Sequence, residues 1–185
     1  METLFLLACV FVATAGGAGL IPAIFRGRKA SGGGTMGTLV GVALQVYCLR
    51  QSDGLELQLG LIVATFFIGL VTIEPAEEFL TRAKPWLKKG VEVWHDLNST
   101  CIDEVHGMAI AGLPTYLCRG SFGDKLGLLI GAFVFFRLFD GKKPKPVKWA
   151  EDKFAGPLGI MLDDSVAGLL AAIGVIAVML LRRMC

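Results

Sequence analysis

Long apolar runs limit what this chain of 185 residues can fold into more than any other feature. Five stand out, Leu4 to Phe25, Met36 to Leu49, Leu55 to Ile73, Leu126 to Phe139 and Leu158 to Leu181, with a weaker sixth from Val105 to Cys118. A helix that crosses hydrocarbon needs about 20 residues, a length that the first, third and last runs reach. The others are short, tilted or partly re-entrant. Hydrophobic residues make up 54% of the chain, high for a soluble core of one domain, so most of the apolar surface must face lipid. The expectation is an all-α fold: a small polytopic helical membrane protein with four to six spans, forming a single domain over residues 1–185.

The segments between the runs sort by charge. Arg26, Arg28 and Lys29 lie in the first connection, Arg82, Lys84, Lys88 and Lys89 in the third, and Lys142, Lys143, Lys145, Lys148 and Lys153 in the fifth, 12 of the 18 basic residues in all. By the positive-inside rule these alternate connections face the cytoplasm, which puts the N-terminus outside in a six-span arrangement. Arg182 and Arg183 then end outside, against the rule. The leading segment carries Glu2, lacks a basic n-region and is longer than a signal-peptide core, so it reads as a retained membrane helix. FRGRKASGGGT, ending at Thr35, reads as a basic, glycine-rich loop, either a plain connection or one whose N–H groups approach an anionic head group. Glu74 to Thr100 is too polar to span and, with Trp86 and Trp94, fits an amphipathic interfacial helix. A net charge of only +2 excludes the dense basic face of a nucleic-acid binder. The five cysteines form no C-x-x-C pair and read as reduced, buried small hydrophobes, with Cys101 lying beside an acidic pair.

Ionisable groups at the ends of apolar helices are costly to bury and usually mark function. Three such places occur: Asp103 with Glu104, Arg137 with Asp140, and Asp163 with Asp164. In the topology above, Asp103 starts a span leaving the cytoplasm, Asp140 ends one returning to it, and Asp163 starts the next. All three therefore meet at one membrane face. Helix N-capping is the simpler reading for Asp163 and Asp164 taken alone; a single cluster accounts for the three places jointly. Several hard carboxylate oxygens at one point suit Mg²⁺, which shares its oxygen ligands with substrate phosphate and can activate a water. Arg137 and Lys143 are placed to hold phosphate oxygens, the first as a fork and the second as a point charge. His106, one helical turn after Asp103, is a candidate proton shuttle, whereas His95 reads as a solvated side chain. On the last run Ala167, Gly168, Ala171 and Ala172 form a small-residue stripe that lets helices approach closely.

IDEVHGM, FRLFDGKKPKPVKW and GPLGIMLDDSVAG, in that order and spacing, resemble the signature blocks of the phosphatidylglycerophosphatase A family. The likeness covers about 102–168. It implies a small helical, Mg²⁺-dependent enzyme of a bacterial inner membrane, multi-pass, with its active site facing the cytoplasm. Its reaction would hydrolyse the phosphomonoester of phosphatidylglycerophosphate to phosphatidylglycerol and phosphate, in phospholipid biosynthesis. Matching positions carry the family's acidic pair onto Asp103 and Glu104, its arginine and aspartate onto Arg137 and Asp140, its lysine-proline onto Lys143 and Pro144, and its double aspartate onto Asp163 and Asp164. The five carboxylates are thus expected as catalytic groups and metal ligands, and Arg137 and Lys143 as phosphate binders. Gly17 to Pro22 and then Gly34 to Leu39 look like halves of an upstream family block, with Arg26 and Arg28 in an insertion between them. Gly33 replaces the proline before the Gly-Thr pair. Lys145, where an aromatic is common, and Pro157, where glycine is common, are further departures.

Other phosphatase classes are tested by their motifs: the sequence has neither D-x-D-x-[TV] nor P-S-G-H, and it lacks the D-G…A-R…G…D…D pattern of head-group transferases. Metal-activated attack by water is the preferred mechanism, with a carboxylate nucleophile as the other. A different class, a small transporter using Asp140, Asp163 and Asp164 as an ion or proton relay, expects its site at the membrane midplane.

Overall fold

Residues 2–22, 32–83 and 99–182 are described by a computed structural model. No strand occurs among them. The helices are α1 (Glu2–Ala13), α2 (Gly33–Cys48), α3 (Gly54–Ala83), α4 (Ile102–Ala111), α5 (Phe122–Lys142), α6 (Lys145–Lys153) and α7 (Gly156–Arg182), with 3-10 turns at Ala18–Leu20 and Leu113–Leu117. The first apolar run does not form the continuous helix expected from Leu4 to Phe25. After Ala13 the backbone turns through left-handed φ values of 50° at Ala15, 72° at Gly16 and 89° at Gly17. The Thr14 hydroxyl donates to Val10 O (2.7 Å) and accepts from Gly17 N (3.1 Å), offering the chain an alternative to the next helical turn. α1 is therefore 12 residues long, about 18 Å, and too short to cross a bilayer upright. By contrast α5 starts on a reciprocal capping box between Ser121 and Asp124. Hydrogen bonds from the Ser121 hydroxyl and backbone hold the Asp124 carboxyl below its ordinary pKa.

Two helices are long and apolar enough to cross a membrane, Gly54–Thr81 and Gly156–Arg182. Four to six spans were expected from the sequence; among the described residues the other helices are shorter, or, like α5, carry several charges. α3 continues without a break past Ile73 and Pro75 to Ala83, so Glu74 to Ala83 extend the long helix and are not a separate interfacial one. The expectations for Arg26, Arg28, Lys29, Lys84, Lys88, Lys89, Trp86, Trp94, His95, Arg183 and Cys185 lie outside the described residues. Apolar side chains cover the outer faces of the long helices: Phe67 and Val71 on α3, Ile130 and Val134 on α5, and Leu169, Ile173 and Leu180 on α7 are all exposed. An apolar surface this extensive fits lipid and not water. The protein is helical and membrane-associated.

α4 is the hub. It is ten residues long, yet nearly every side chain on it is buried, because α2, α3, α5 and α7 surround it. Close packing of this kind requires small residues at the crossings. A Cβ on Gly41 of α2 would lie 2.9 Å from the Met108 side chain, one on Gly107 would lie 2.8 Å from Asp164 O, and one on Gly168 of α7 would strike Gly107 O. The expected stripe on α7 behaves accordingly, with Ala167, Gly168 and Ala171 buried against the hub. A short helix also exposes unsatisfied carbonyls at its end. Here they are met from the side: Gln45 of α2 donates to Met108 O and Ala109 O (3.0 Å each), and Gln58 of α3 donates to Ala109 O (2.7 Å).

Candidate functional site

Four helix segments converge at one end of the hub: the first turn of α4, the last turn of α5, the first turn of α2, and the stretch of α7 about two turns in from Gly156. Asp103 and Glu104 come from α4 and Asp164 from α7, and one carboxylate oxygen of each lies within 4.8 Å of the others. Asp103 and Asp164 are buried, and Glu104 is half-buried. The enclosed oxygens Glu104 Oε2 and Asp164 Oδ2 have no hydrogen-bond partner within the protein. Because α7 starts at Gly156, Asp163 and Asp164 stand about 11 to 12 Å into the helix and are not its caps.

Three carboxylates this close in an apolar setting repel one another and lose solvation, so the arrangement needs a cation or protons to be tolerable. In octahedral coordination at about 2.1 Å, ligand oxygens stand roughly 3 to 4.2 Å apart. The donors here are all hard oxygens that approach within 4.8 Å of one another, and Glu104 and Asp164 each carry a buried oxygen without another partner. These three residues could hold a metal ion.

The remaining expected site residues flank this trio without joining it. Arg137 bonds Asp140 (2.7 Å) and donates to Thr38 Oγ1 (3.4 Å). Lys143 bridges Asp163 (2.7 Å) and Glu151 of α6 (2.8 Å). Of the five carboxylates expected together, Asp140 and Asp163 are thus engaged by cationic side chains, while Asp103, Glu104 and Asp164 share one point. Lys143 follows the last residue of α5 with φ 42°, a left-handed conformation that a lysine adopts only when its surroundings hold it there. Burial alone would lower the Lys143 pKa, but the two carboxylates outweigh it and hold the ammonium above its ordinary value.

His106 points elsewhere. Its Nε2 pairs with Ser165 Oγ (3.0 Å) and its Nδ1 lies 3.1 Å from both Thr65 Oγ1 and Ile62 O, so the ring ties α4 to α7 and α3. Cys101 is buried with its sulfur against Gly19 and Gly37, and its N–H donates to Ala13 O (2.9 Å). Cys9, Cys48, Cys101 and Cys118 are all free and buried, as expected.

Thr38, Gly34 and Glu151 are the site neighbours that sequence reasoning missed. Gly34 sits so close that a Cβ there would strike Glu104 Oε1 and lie 3.2 Å from an Arg137 guanidinium nitrogen. The signal was present in the Gly34 to Leu39 half-block, which carries both Gly34 and Thr38.

The fold and site together define a helical, membrane-associated protein with a candidate metal centre flanked by two cationic side chains. The family model of phosphatidylglycerophosphatase A matches residues 11–179, well beyond the 102–168 region of the quoted blocks. Phosphatidylglycerophosphatase A of Haemophilus influenzae is 30% identical over 147 residues, 78% of this chain and 77% of that protein. The Escherichia coli protein of the same name is 38% identical over 80 residues, and this alignment spans only 42% of either chain. No solved structure matches. The chain belongs to the phosphatidylglycerophosphatase A family, a family of lipid phosphatases. That membership favours the phosphatase expectation over the transporter one.

Proposed function

We propose that the chain hydrolyses the phosphomonoester of phosphatidylglycerophosphate, releasing phosphate and leaving phosphatidylglycerol, as a Mg²⁺-dependent, multi-pass enzyme of a bacterial inner membrane whose site faces the cytoplasm. The observation that carries the reading is the convergence of Asp103, Glu104 and Asp164 within 4.8 Å, with two cationic side chains beside them, in a chain of this family. The whole chain, 1–185, acts as one domain built around α4.

In this reading Asp103, Glu104 and Asp164 hold the metal, which when bound neutralises phosphate charge and acts as a Lewis acid. Arg137, oriented by Asp140 and Thr38, presents its fork to non-bridging phosphate oxygens. Lys143, steadied by Asp163 and Glu151, supplies a second fixed positive charge for a phosphate dianion. Asp140 and Asp163 therefore act mainly by orienting the two cations. A carboxylate of the trio not fully engaged with the metal is placed to accept a proton from an attacking water. The apolar outer faces of α3, α5 and α7 keep the acyl chains in lipid while the head group reaches the helix ends.

The test is phosphate release from phosphatidylglycerophosphate in mixed micelles, with Mg²⁺ or with EDTA, for the parent protein and Asp164→Asn. Release that requires Mg²⁺ and falls at least about a thousandfold in the variant supports the reading. Release unaffected by EDTA, or intact in Asp164→Asn, contradicts it.

A further inference from the structure

α6 faces two ways. Val147 and Ala150 are buried against the rest of the protein, whereas Lys145, Lys148, Trp149, Asp152 and Lys153 recur at three- and four-residue spacing and share the opposite face. This face lines an open cleft of about 400 Å³. Trp149 is 59% exposed, its ring edge-on to Phe154 with centroids 6.1 Å apart. Three lysines against one aspartate make the cleft cationic. None of these five side chains belongs to the carboxylate site; Glu151, on the same helix, bonds Lys143 there.

The position of α6 says what such a face meets. It joins the end of α5 to the start of α7, one of the two helices long enough to cross a bilayer, so it lies at a membrane face. At that level an exposed indole sits at the glycerol boundary, and lysine stems lie along apolar surface while their ammonium groups reach phosphates.

We infer that the outward face of α6 is a second phospholipid site, a cleft in which Lys145, Lys148 and Lys153 hold the head group of an anionic bilayer lipid while Trp149 anchors at its glycerol backbone. The site rests on the membrane association of the chain and not on its proposed reaction. It holds anionic lipid beside the helix that carries Glu151 and enriches the negatively charged bilayer component next to the carboxylate site. Each lysine near an anionic surface favours it on the order of fivefold.

The experiment uses the full chain carrying Trp86→Phe and Trp94→Phe, which leaves Trp149 as the sole tryptophan of the original three. Reconstituted in nanodiscs, its fluorescence is titrated with brominated phosphatidylglycerol or brominated phosphatidylcholine at equal mole fractions. The expected result is quenching several-fold more effective with the anionic lipid, and loss of that preference in the combined Lys145→Gln, Lys148→Gln and Lys153→Gln variant. Equal quenching by the two lipids, or a preference that survives the triple substitution, overturns the proposal. Absence of quenching by either lipid overturns it too, because α6 then stands clear of the bilayer. Quenching is read without turnover, so failure here is distinct from failure of the phosphatase reading.

Discussion

Replacing Gly168 by alanine adds one methyl group, and the structure indicates that this should disturb both stability and the site. The new Cβ would strike the carbonyl oxygen of Gly107 and stand 3.1 Å from the Ile110 Cβ. Neither obstacle is the end of a flexible side chain. Carbon and neighbouring heavy atoms need roughly 3.5 Å, so α7 and α4 must part by about 1 Å at their crossing. Overpacking of this sort costs about 1 to 3 kcal/mol, and the better helix propensity of alanine returns up to about 1 kcal/mol. A net loss of about 1 to 2 kcal/mol is expected. The functional effect should be larger, since Gly107 and Gly168 lie one turn beyond the carboxylates, on the two helices that supply Asp103, Glu104 and Asp164. A displacement of about 1 Å in positioned groups can slow a reaction about a hundredfold. Thermal unfolding in detergent and the initial rate of phosphate release measure the two effects. Gly131→Ala on α5 is the control: nothing lies within 4 Å of a Cβ there, so the rate should match the parent and the Tm should equal or slightly exceed it through the better helix propensity of alanine. A Gly168→Ala protein with the parent Tm and rate would refute the close-crossing account.

Three further changes probe separate parts of the site. Gly34→Ala should lower phosphate release by at least about tenfold with little change in Tm, because its methyl group displaces the Glu104 carboxylate and not a core side chain; rate and Tm on one preparation check this. Lys143→Gln removes the partner of both Asp163 and Glu151 and should cost about 1 to 2 kcal/mol by thermal unfolding, below the value for a fully buried pair because the lysine is 29% exposed. Gln45→Leu withdraws two donors from the end of α4 and should cost about 1 to 2 kcal/mol, while Gln58 still serves Ala109 O; denaturation with a mild detergent series reads the difference.

The helix content and the charged helix ends that gather at the candidate site were legible because apolar runs and charges beside them are both expensive exceptions to ordinary sequence. Arg137, Asp140, Lys143, Asp163 and Asp164 could be singled out on that ground before any contact was known. Which carboxylates meet could not. Asp103, Glu104 and Asp164 are distinguished from Asp140 and Asp163 by the reach of Arg137 and Lys143, and side-chain reach across helices is not encoded in local periodicity. The central place of α4 was also hidden, since a ten-residue helix gives little periodic signal and its burial on all sides depends on Gly41, Gly107 and Gly168 in three different segments. The break after Ala13 was present as a run of small residues, Ala15 to Gly17, but hydrophobicity alone made that run look continuous with the helix before it. His106 illustrates the opposite error: helical spacing placed it near Asp103, yet its ring turns toward Ser165 and Thr65.

The claim that the carboxylate trio holds a catalytic cation is tested most directly by titrating Mn²⁺, as a spectroscopic substitute for Mg²⁺, into the detergent-solubilised protein and counting bound ion by electron paramagnetic resonance. The account predicts a bound Mn²⁺ that Mg²⁺ displaces and that is lost in both Glu104→Gln and Asp164→Asn, while Asp124→Asn binds it as the parent does. Mn²⁺ binding that is unchanged in Glu104→Gln and Asp164→Asn would contradict it.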